Sequence, residues 1–406
     1  MEKQKSIPQL RFPEFEGEWE KKTLGEIGEI LTGKTPSTTN ANLWNGDIQF
    51  VTPTDIEDSK YQFTTERTIK ELPKTKTLPS KSIMFTCIAS IGKMSMSVYP
   101  CVTNQQINSI IPFERYDPEF IFYALNNIVG YIKSTQKTNT LPIINKTEFS
   151  KFKISVSSLP EQQKIASFFT AIDQKISQLK HKKNLLEQYK KGVMQKIFSQ
   201  HIRFGDDNGQ EFPKWEKKKL GDVGKTYNGL TGKTKDDFGQ GKPYIQYKQI
   251  FDDTRIDITR FDYVRIRDGE KQCRVRYGDV FFTTSSETPD EVGTSSVLLD
   301  EVSEVYLNSF CFGYRSSRDV LIPHFSRYLF RNALLRKEIN KLAQGSTRYN
   351  ISKNELMKTV IDLPTIQEQI KIANFLSAID DKIDHTQKQI EKAEVWKKGL
   401  MQQMFC

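Results

Sequence analysis

The sequence is written twice, and each copy is about as long as a complete domain with a long tail. The first copy opens with RFPEFEGEWEKKTLGEIGEILTGKTP at residues 11–36, and the second opens with EFPKWEKKKLGDVGKTYNGLTGKTK at residues 211–235. The copies also close alike, because LPEQQKIASFFTAIDQKI at residues 159–176 matches LPTIQEQIKIANFLSAIDDKI at residues 363–383. Solenoid repeats recur every ~20–50 residues. This much longer period therefore predicts two domains, each followed by its own long segment.

Each closing segment has the apolar spacing of a long coiled-coil helix. Apolar residues recur in alternating steps of three and four, a period of about 3.5 residues that is typical of coiled coils. Lys183 and Lys190 interrupt the first series, and Pro160 or Pro364 stands just before each helix, where its fixed φ is tolerated. The predicted seam consists of Ile165, Phe169, Ile172, Ile176, Leu179, Leu186, Val193 and Ile197 in the first helix, and of Ile372, Leu376, Ile379, Ile383, Ile390, Ala393, Leu400 and Met404 in the second.

The two helices have two possible arrangements. Each could pack separately on its own domain, but about 39 residues at ~1.5 Å per residue make a rod of about 58 Å, which one small domain cannot cover. We therefore predict that the helices pack on each other. If the two copies are related by an approximate two-fold axis, the pair is antiparallel, and the second helix ends near the start of the chain.

The globular parts combine short β-rich stretches with helices. SIMFTCIA, PYIQYKQI and DVFFTT are typical strands, while helices are predicted over PEFIFYALNNIVGYIKST from Pro118 and over PHFSRYLFRNALLRKEINKLA from Pro323. The predicted fold class is α+β, with two mixed α/β domains in pseudo-two-fold tandem, separated by two long helices that form an antiparallel coiled coil. The predicted boundaries are residues 1–158 for the first domain, 159–200 for the first long helix, 201–362 for the second domain and 363–406 for the second long helix.

Composition argues against several classes of protein. No run approaches the ~18 apolar residues of a membrane helix, and the opening MEKQKSIPQL lacks the apolar core of a signal peptide. The five cysteines form no CxxC pair and lie far from the four histidines, which predicts reduced thiols, no metal site and a cytoplasmic protein. Lys and Arg outnumber Asp and Glu by 60 to 50. This excess fits nucleic acid as a partner, although a merely basic protein would show it too.

One segment satisfies the pattern of a nucleotide-binding loop. Residues 28–35 read GEILTGKT, which matches GxxxxGK[ST]. That pattern requires a strand before the loop and a helix after it, whereas Pro36 and the polar stretch STTNAN follow here. The second copy has GKT at residues 232–234, but at a longer distance from Gly224. A P-loop nucleotide-binding enzyme is thus only an alternative, and a Lys/Thr loop placed against a DNA phosphate is the better hypothesis.

No catalytic residues are predicted, because the sequence lacks a D/N-P-P-F/Y segment, a GxGxxG loop and a GxSxG elbow. This absence favours a binding component whose polar loops carry the contacts, although each loop residue could instead be a solvated turn or a cap. Lys and Arg suit phosphates or guanine edges, and Asn and Gln can pair with adenine. The candidate DNA-binding residues are Lys34, Thr35, Ser90, Lys93, Asn104, Gln105, Gln106, Lys137, Thr138 and Asn139 in the first domain, and Lys233, Thr234, Tyr247, Lys248, Thr283, Thr284, Ser285, Ser286, Ser346, Thr347, Arg348 and Asn350 in the second.

From Arg11 to Phe405, the ordered set of segments resembles the specificity (S) subunit of type I restriction–modification enzymes. The resemblance rests on RFPEFEGEWEKKTLGEIGEILTGKTPS, FTCIASIGK, TNQQINSIIP and the repeated LP–EQ–KIA–F–AID–KI helix entry. It implies two target-recognition domains that each read one half of a split double-stranded DNA sequence, with the coiled coil fixing the gap. The second domain has SSETPDEVG in place of ASIGK and YLNSFCF in place of TNQQINS, as two different half-sites would require.

The resemblance also implies partners and cofactors. The chain would be a non-catalytic scaffold for two modification subunits, which use S-adenosylmethionine to methylate adenine N6, and for restriction subunits with ATP-driven translocation and nuclease activity. S-adenosylmethionine, ATP and Mg would then be used by these partners and not be bound by this chain. A DNA-free coiled-coil scaffold is a further alternative.

Overall fold

A computed structural model of the chain describes residues 7–56, 59–71, 76–136 and 142–406. It divides into two compact units, the first made of residues 1–180 with 388–406 and the second of residues 181–387. Each unit thus contains one globular part together with a portion of each long helix. Within the described ranges, no helix is both long enough and apolar enough to cross a membrane.

The globular part of the first unit is built around a main sheet. Its strands are β1 (Glu20–Thr23), β2 (Gly28–Thr32), β3 (Trp44–Val51), β4 (Tyr61–Gln62), β5 (Arg67–Ile69), β6 (Ile83–Thr86), β7 (Met94–Ser97), β8 (Cys101–Thr103), β9 (Ile107–Pro112) and β10 (Lys153–Val156). Its helices are α1 (Leu24–Ile27), α2 (Pro118–Ser134), α3 (Lys146–Lys151) and the first part of α4 (Leu159–Phe198). The main sheet has the order β2-β9-β6-β7-β4, a smaller sheet has the order β5-β3-β8, and β1 pairs with β10.

The second unit contains a similar set of elements. Its strands are β11 (Glu216–Lys219), β12 (Gly224–Asn228), β13 (Phe238–Ile245), β14 (Asp262–Val264), β15 (Val280–Thr283), β16 (Ser285–Ser286), β17 (Ser295–Val297), β18 (Tyr306–Leu307), β19 (Cys311–Ser316), β20 (Tyr349–Asn350) and β21 (Val360–Leu363). Its helices are α5 (Leu220–Val223), α6 (Tyr247–Asp252), α7 (Pro323–Leu329), α8 (Ala333–Asn340), α9 (Lys353–Lys358) and most of α10 (Ile366–Met404). The sheets have the orders β12-β19-β15-β17, β14-β13-β18, β11-β21 and β16-β20.

The two globular parts share one topology. Strands β12, β19, β15 and β17 repeat the order of β2, β9, β6 and β7, and β14-β13-β18 repeats β5-β3-β8, including a parallel pair in each. Equivalent core residues follow the sequence match, since Leu24 and Leu220 are both fully buried and Trp19 and Trp215 are both buried. The repeat in the sequence is therefore a repeat of the fold, which confirms two mixed α/β domains in tandem with two long helices.

In the first unit, the parts of α4 and α10 pack on each other in opposite directions. Asp173 on α4 forms an ion pair with Lys397 on α10 at 2.6 Å. Further along α4, Lys180 forms an ion pair with Glu394 at 2.7 Å, and Glu394 comes before Lys397 in α10. The ring of Phe169 lies 5.8 Å from that of Phe405. Because residue numbers rise along one helix and fall along the other, this pairing is antiparallel.

The second unit repeats this arrangement with the helices exchanged. Lys190 on α4 forms an ion pair with Asp380 on α10. Closer to the end of α4, Ile197 shares a core with Ile372, near the start of α10, so the direction is again antiparallel. All sixteen proposed seam residues lie in the described ranges, and each of them is buried or half-buried.

Local predictions differ from the structure at three places. Pro160 lies inside the first turn of α4 and not before it. The N–H groups of the first turn have no carbonyl partner within the helix, so a proline, which has no N–H, is tolerated there. The helix predicted from Pro323 is wrong as a single element. The Asn332 side chain accepts the amides of Leu334 and Leu335 and so starts a new helix, α8. The strand predicted over PYIQYKQI ends at Ile245, and α6 begins two residues later, at Tyr247.

Candidate nucleic-acid interface

In the first unit, the candidate loops leave the same end of the main sheet. The register pairs Thr32 with Asn108 and Thr86 with Ile107, so the loops at residues 33–36, 87–93 and 104–106 emerge side by side. They are also linked directly, since the amide of Lys34 donates to the carbonyl of Thr103 at 2.8 Å. Sequence-distant candidates thus form one surface, which we call the first loop surface (residues 33–36, 87–93 and 104–106).

The side chains of the first loop surface differ in availability. Lys34, Ser90, Lys93 and Gln105 are exposed, whereas Asn104 is buried and shapes the turn by accepting the amide of residue 106. The Thr35 hydroxyl donates to the side-chain oxygen of Gln105 at 2.5 Å, and the side-chain NH2 group of Asn104 donates to the side-chain oxygen of Gln106 at 3.0 Å. Lys137, Thr138 and Asn139 lie outside the described residues.

The nucleotide-binding pattern of residues 28–35 does not form a phosphate loop. Gly28–Thr32 is strand β2 and pairs residue by residue with β9, so its backbone groups belong to a ladder. A Cβ added to Gly28 would stand 2.4 Å from the carbonyl oxygen of Ile111. No helix follows directly at residues 33–40, which the structure describes in full. The P-loop alternative is therefore not favoured, because residues 28–32 form a paired strand and not a loop whose amides could surround a phosphate.

The second unit gathers its loops at the equivalent sheet end. Asn228 pairs with Phe312 and Thr283 with Cys311, which brings the loops at residues 229–236, 284–294 and 308–310 together. Strand β16 pairs with β20, and this adds the loop at residues 341–352. We call this set the second loop surface (residues 229–236, 284–294, 308–310 and 341–352).

Several candidates on or beside the second loop surface are exposed, namely Lys248, Thr234, Ser346, Thr347, Arg348 and Asn350. Others are held by the protein itself. Thr283 is fully buried, Ser285 and Ser286 are buried, and Thr284 is half-buried. The Tyr247 hydroxyl donates to the carbonyl of Ser285 at 2.7 Å, and the Ser286 hydroxyl donates to Glu291 at the same distance.

Lys233 is engaged in an internal ion pair. Only 3% of its side chain is exposed, and its ammonium group lies 2.6 Å from both a Glu270 oxygen and the carbonyl of Arg265. The hydrogen bonds that Glu270 accepts, first from Lys233 and then from the Arg267 amide, lower the pKa of this carboxyl to about 2. A lysine that is buried and paired in this way is not available to a phosphate.

The GKT segments of the two copies are not structurally equivalent. Gly33 and Gly229 both donate to the first residue of the neighbouring strand, β9 or β19. Next to them, Lys34 donates to Thr103, and Leu230 donates to the equivalent Leu307. The buried Leu230 thus takes the place of the exposed Lys34, and GKT at residues 232–234 lies three residues further along.

Buried polar groups attach each globular part to the helices of its own unit. In the first unit, the Tyr123 hydroxyl donates to Asp173 at 2.6 Å. Tyr328 donates to Asp380 at 2.7 Å in the second. Burial raises the pKa of both tyrosines, which therefore stay protonated and can donate. In each unit, an aspartate on one helix thus binds both a tyrosine from the globular part and a lysine from the other helix.

These features match a family of known proteins. The family model described as "Type I restriction modification DNA specificity domain" matches residues 16–188 and again residues 213–395. The chain belongs to this family. The MjaIX specificity subunit of Methanocaldococcus jannaschii is 24% identical over 392 residues, covering 92% of this chain and 89% of that protein. The HindI specificity subunit of Haemophilus influenzae is 33% identical over 162 residues, covering 37% and 35% of the two chains.

Solved structures show the same fold. The crystal structure of a type I S subunit from M. genitalium covers 98% of this chain and 99% of that chain, with a TM-score of 0.58 and 14% identity. As a specificity subunit, the chain is a non-catalytic component of a type I restriction–modification complex and carries two DNA-recognition domains. Neither alternative function, the P-loop enzyme or the DNA-free scaffold, is favoured.

The specificity subunit also has equivalent turns that the candidate residues only half covered. Asn104 and Asn308 each start a turn in which the Asn side chain accepts the amide two residues later, at 3.0 and 2.8 Å. The residues at 308–310 are absent from the candidates, although YLNSFCF stands in place of TNQQINS in the sequence. Matching the asparagines of these segments would have found them.

Proposed function

We propose that each domain reads one half of a bipartite double-stranded DNA target. The observation that carries this proposal is the pair of loop surfaces. Two domains of one topology gather polar loops at the same sheet end but present different side chains there. A shared frame with different reading surfaces is what two different half-sites require.

The exposed side chains divide into phosphate and base contacts. Lys34 and Lys93 on the first loop surface and Arg348 on the second carry charge that suits phosphates, whose neutralisation releases counterions. Gln105 and Asn350 are exposed amides, which can pair with base edges in the major groove. Phosphate contacts would position each domain, and base contacts would select the half-site.

The long helices would set the gap between half-sites and hold the partners. The globular parts at residues 1–158 and 201–362 would be the target-recognition domains, and residues 159–200 and 363–406 the spacer. Two modification subunits would use S-adenosylmethionine to methylate adenine N6, after extruding the base from the stack. Restriction subunits would supply ATP- and Mg-dependent translocation and cleavage in the cytoplasm.

A methylome tests this function. The chain is co-expressed with its modification subunit in an unmethylated host, and modified adenines are mapped by long-read sequencing. One split motif, modified on both strands, is the expected result. Co-purification of the two subunits without any methylated motif would refute DNA reading by this chain.

A further inference from the structure

The turns at residues 104–106 and 308–310 have the same backbone hydrogen bonds, so their third residues are equivalent. Besides the asparagine cap, the residue after each turn donates its amide back to the asparagine carbonyl, at 3.2 Å in the first unit and 3.1 Å in the second. The carbonyl of the third residue accepts an amide from the neighbouring loop, from Cys87 in one unit and from Thr284 in the other. Gln106 and Phe310 therefore occupy equivalent positions on the two loop surfaces, which we call the display positions.

The two display positions carry opposite chemistry. Gln106 is a polar side chain whose oxygen accepts the Asn104 amide at 3.0 Å. Phe310 is an aromatic ring that is 61% exposed, although the next residue along, Cys311, is buried. In the part of the chain that the structure describes, the ring belongs to none of the hydrophobic cores of the second unit. A ring exposed to this extent on a loop surface is free to contact a partner.

The position of Phe310 favours the edge of a base over an insertion between base pairs. The turn has only three residues between β18 and β19, whereas the loops at residues 284–294 and 341–352 are longer and stand beside it. Apolar side chains that insert between base pairs are typical of minor-groove binders that kink the duplex, whereas Phe310 lies in a tight turn and directly precedes the first residue of β19. A ring in such a place suits a shallow contact beside the polar loops.

We propose that Phe310 packs against the C5-methyl group of a thymine in the second half-site, and this inference rests on the proposed function. The thymine methyl is the apolar feature among the base edges of the major groove, so it is the group that a phenyl ring can select there. Gln106 at the same place in the first domain presents an amide. One turn with two different third residues thus contributes to two different half-sites.

The test replaces thymine methyl groups one at a time. Once the methylome gives the motif, the complex of the chain with its modification subunits is titrated with duplexes in which each thymine of the second half-site is changed to deoxyuridine. One such change is expected to weaken binding about fourfold, the value of burying a single methyl group. In the Phe310→Ala complex, the same change is expected to have no further effect.

Two variants serve as controls. Phe310→Leu keeps an apolar contact and should retain part of the thymine preference, and Gln106→Ala should leave the ratio of thymine to deoxyuridine affinity in the second half-site unchanged. Melting by circular dichroism checks that the exposed substitution leaves the fold intact.

Other outcomes overturn the inference. It is wrong if no thymine of the second half-site shows the deoxyuridine effect, or if Phe310→Ala leaves that effect in place. A base-step probe such as 2-aminopurine that brightens on binding, and only with Phe310 present, would instead show insertion. If no split motif exists, the proposed function fails and this inference fails with it. A split motif without a thymine effect refutes only the role of Phe310.

Discussion

The buried ion pair between Arg203 and Glu368 joins the start of the second domain to helix α10. Glu368 is completely buried, and it accepts hydrogen bonds from two Arg203 nitrogens at 2.6 and 3.1 Å and from the Trp215 indole at 3.1 Å. Substitution of Arg203 by Met removes the positive charge but leaves a similar apolar stem. Glu368 would then be a buried carboxylate whose remaining partner is a neutral indole.

The expected loss of stability is large. Breaking a buried pair by removing one partner costs about 3–5 kcal/mol, which is about two to four decades in the unfolding equilibrium. Hydrogen exchange read by mass spectrometry measures it on peptides covering β15 and β19, because a multidomain chain does not have a single unfolding free energy. We expect exchange in the second unit to accelerate while β6 and β9 in the first unit stay protected.

Two further variants sharpen this prediction. Lys358→Met removes an exposed ion pair to Glu355, with 70% and 39% of the two side chains exposed, and should cost about 1 kcal/mol or less. The double variant Arg203→Met/Glu368→Leu removes both charges and should recover much of the loss. An Arg203→Met variant that behaves like Lys358→Met, or a double variant that is less stable than the single one, would contradict this prediction.

Three other results are expected. If Lys34 and Lys93 contact phosphates, changing each to Ala makes the negative slope of log K against log salt for the modification complex shallower by about 1; an unchanged slope would rule those contacts out. Because the pKa of Glu270 is lowered from 4.5 to about 2, its pair with Lys233 should stabilise the second unit fully above pH 4.5 and lose this effect as the pH falls toward 2. Glu270→Gln should therefore differ in melting temperature from the parent at pH 6 but not near pH 2; equal melting at both would contradict this. Lengthening the helix at residues 159–200 by one heptad should change the gap in the methylated motif and neither half-site, whereas an altered half-site would count against the spacer role.

Features with a local or periodic signal could be predicted from the sequence. The period of about 3.5 residues identified α4 and α10 to within a few positions, and Pro118 marks the start of α2. The repeated Trp and Leu positions of the two copies lie in equivalent cores, where Trp19, Trp215, Leu24 and Leu220 are all buried. In each case, the determining contacts lie within one element or recur in both copies.

Features that depend on long-range pairing could not be predicted. Lys233 resembles Lys34 in its GKT context, but its partner Glu270 is 37 residues away and the pairing depends on how two loops meet. Lys190 looks like a break in the apolar seam, while the structure pairs it with Asp380 on the other helix. Nothing local signals either partner, because both pairs depend on the tertiary fold.

The most direct test of two independent reading domains is an exchange of the first one. Residues 17–158 are replaced by the first domain of another family member, and the methylome of the chimera is compared with that of the parent chain. We expect that one half of the split motif changes while the other half and the gap stay the same. A change in both halves, with the chimera still assembling with its modification subunits, would contradict it.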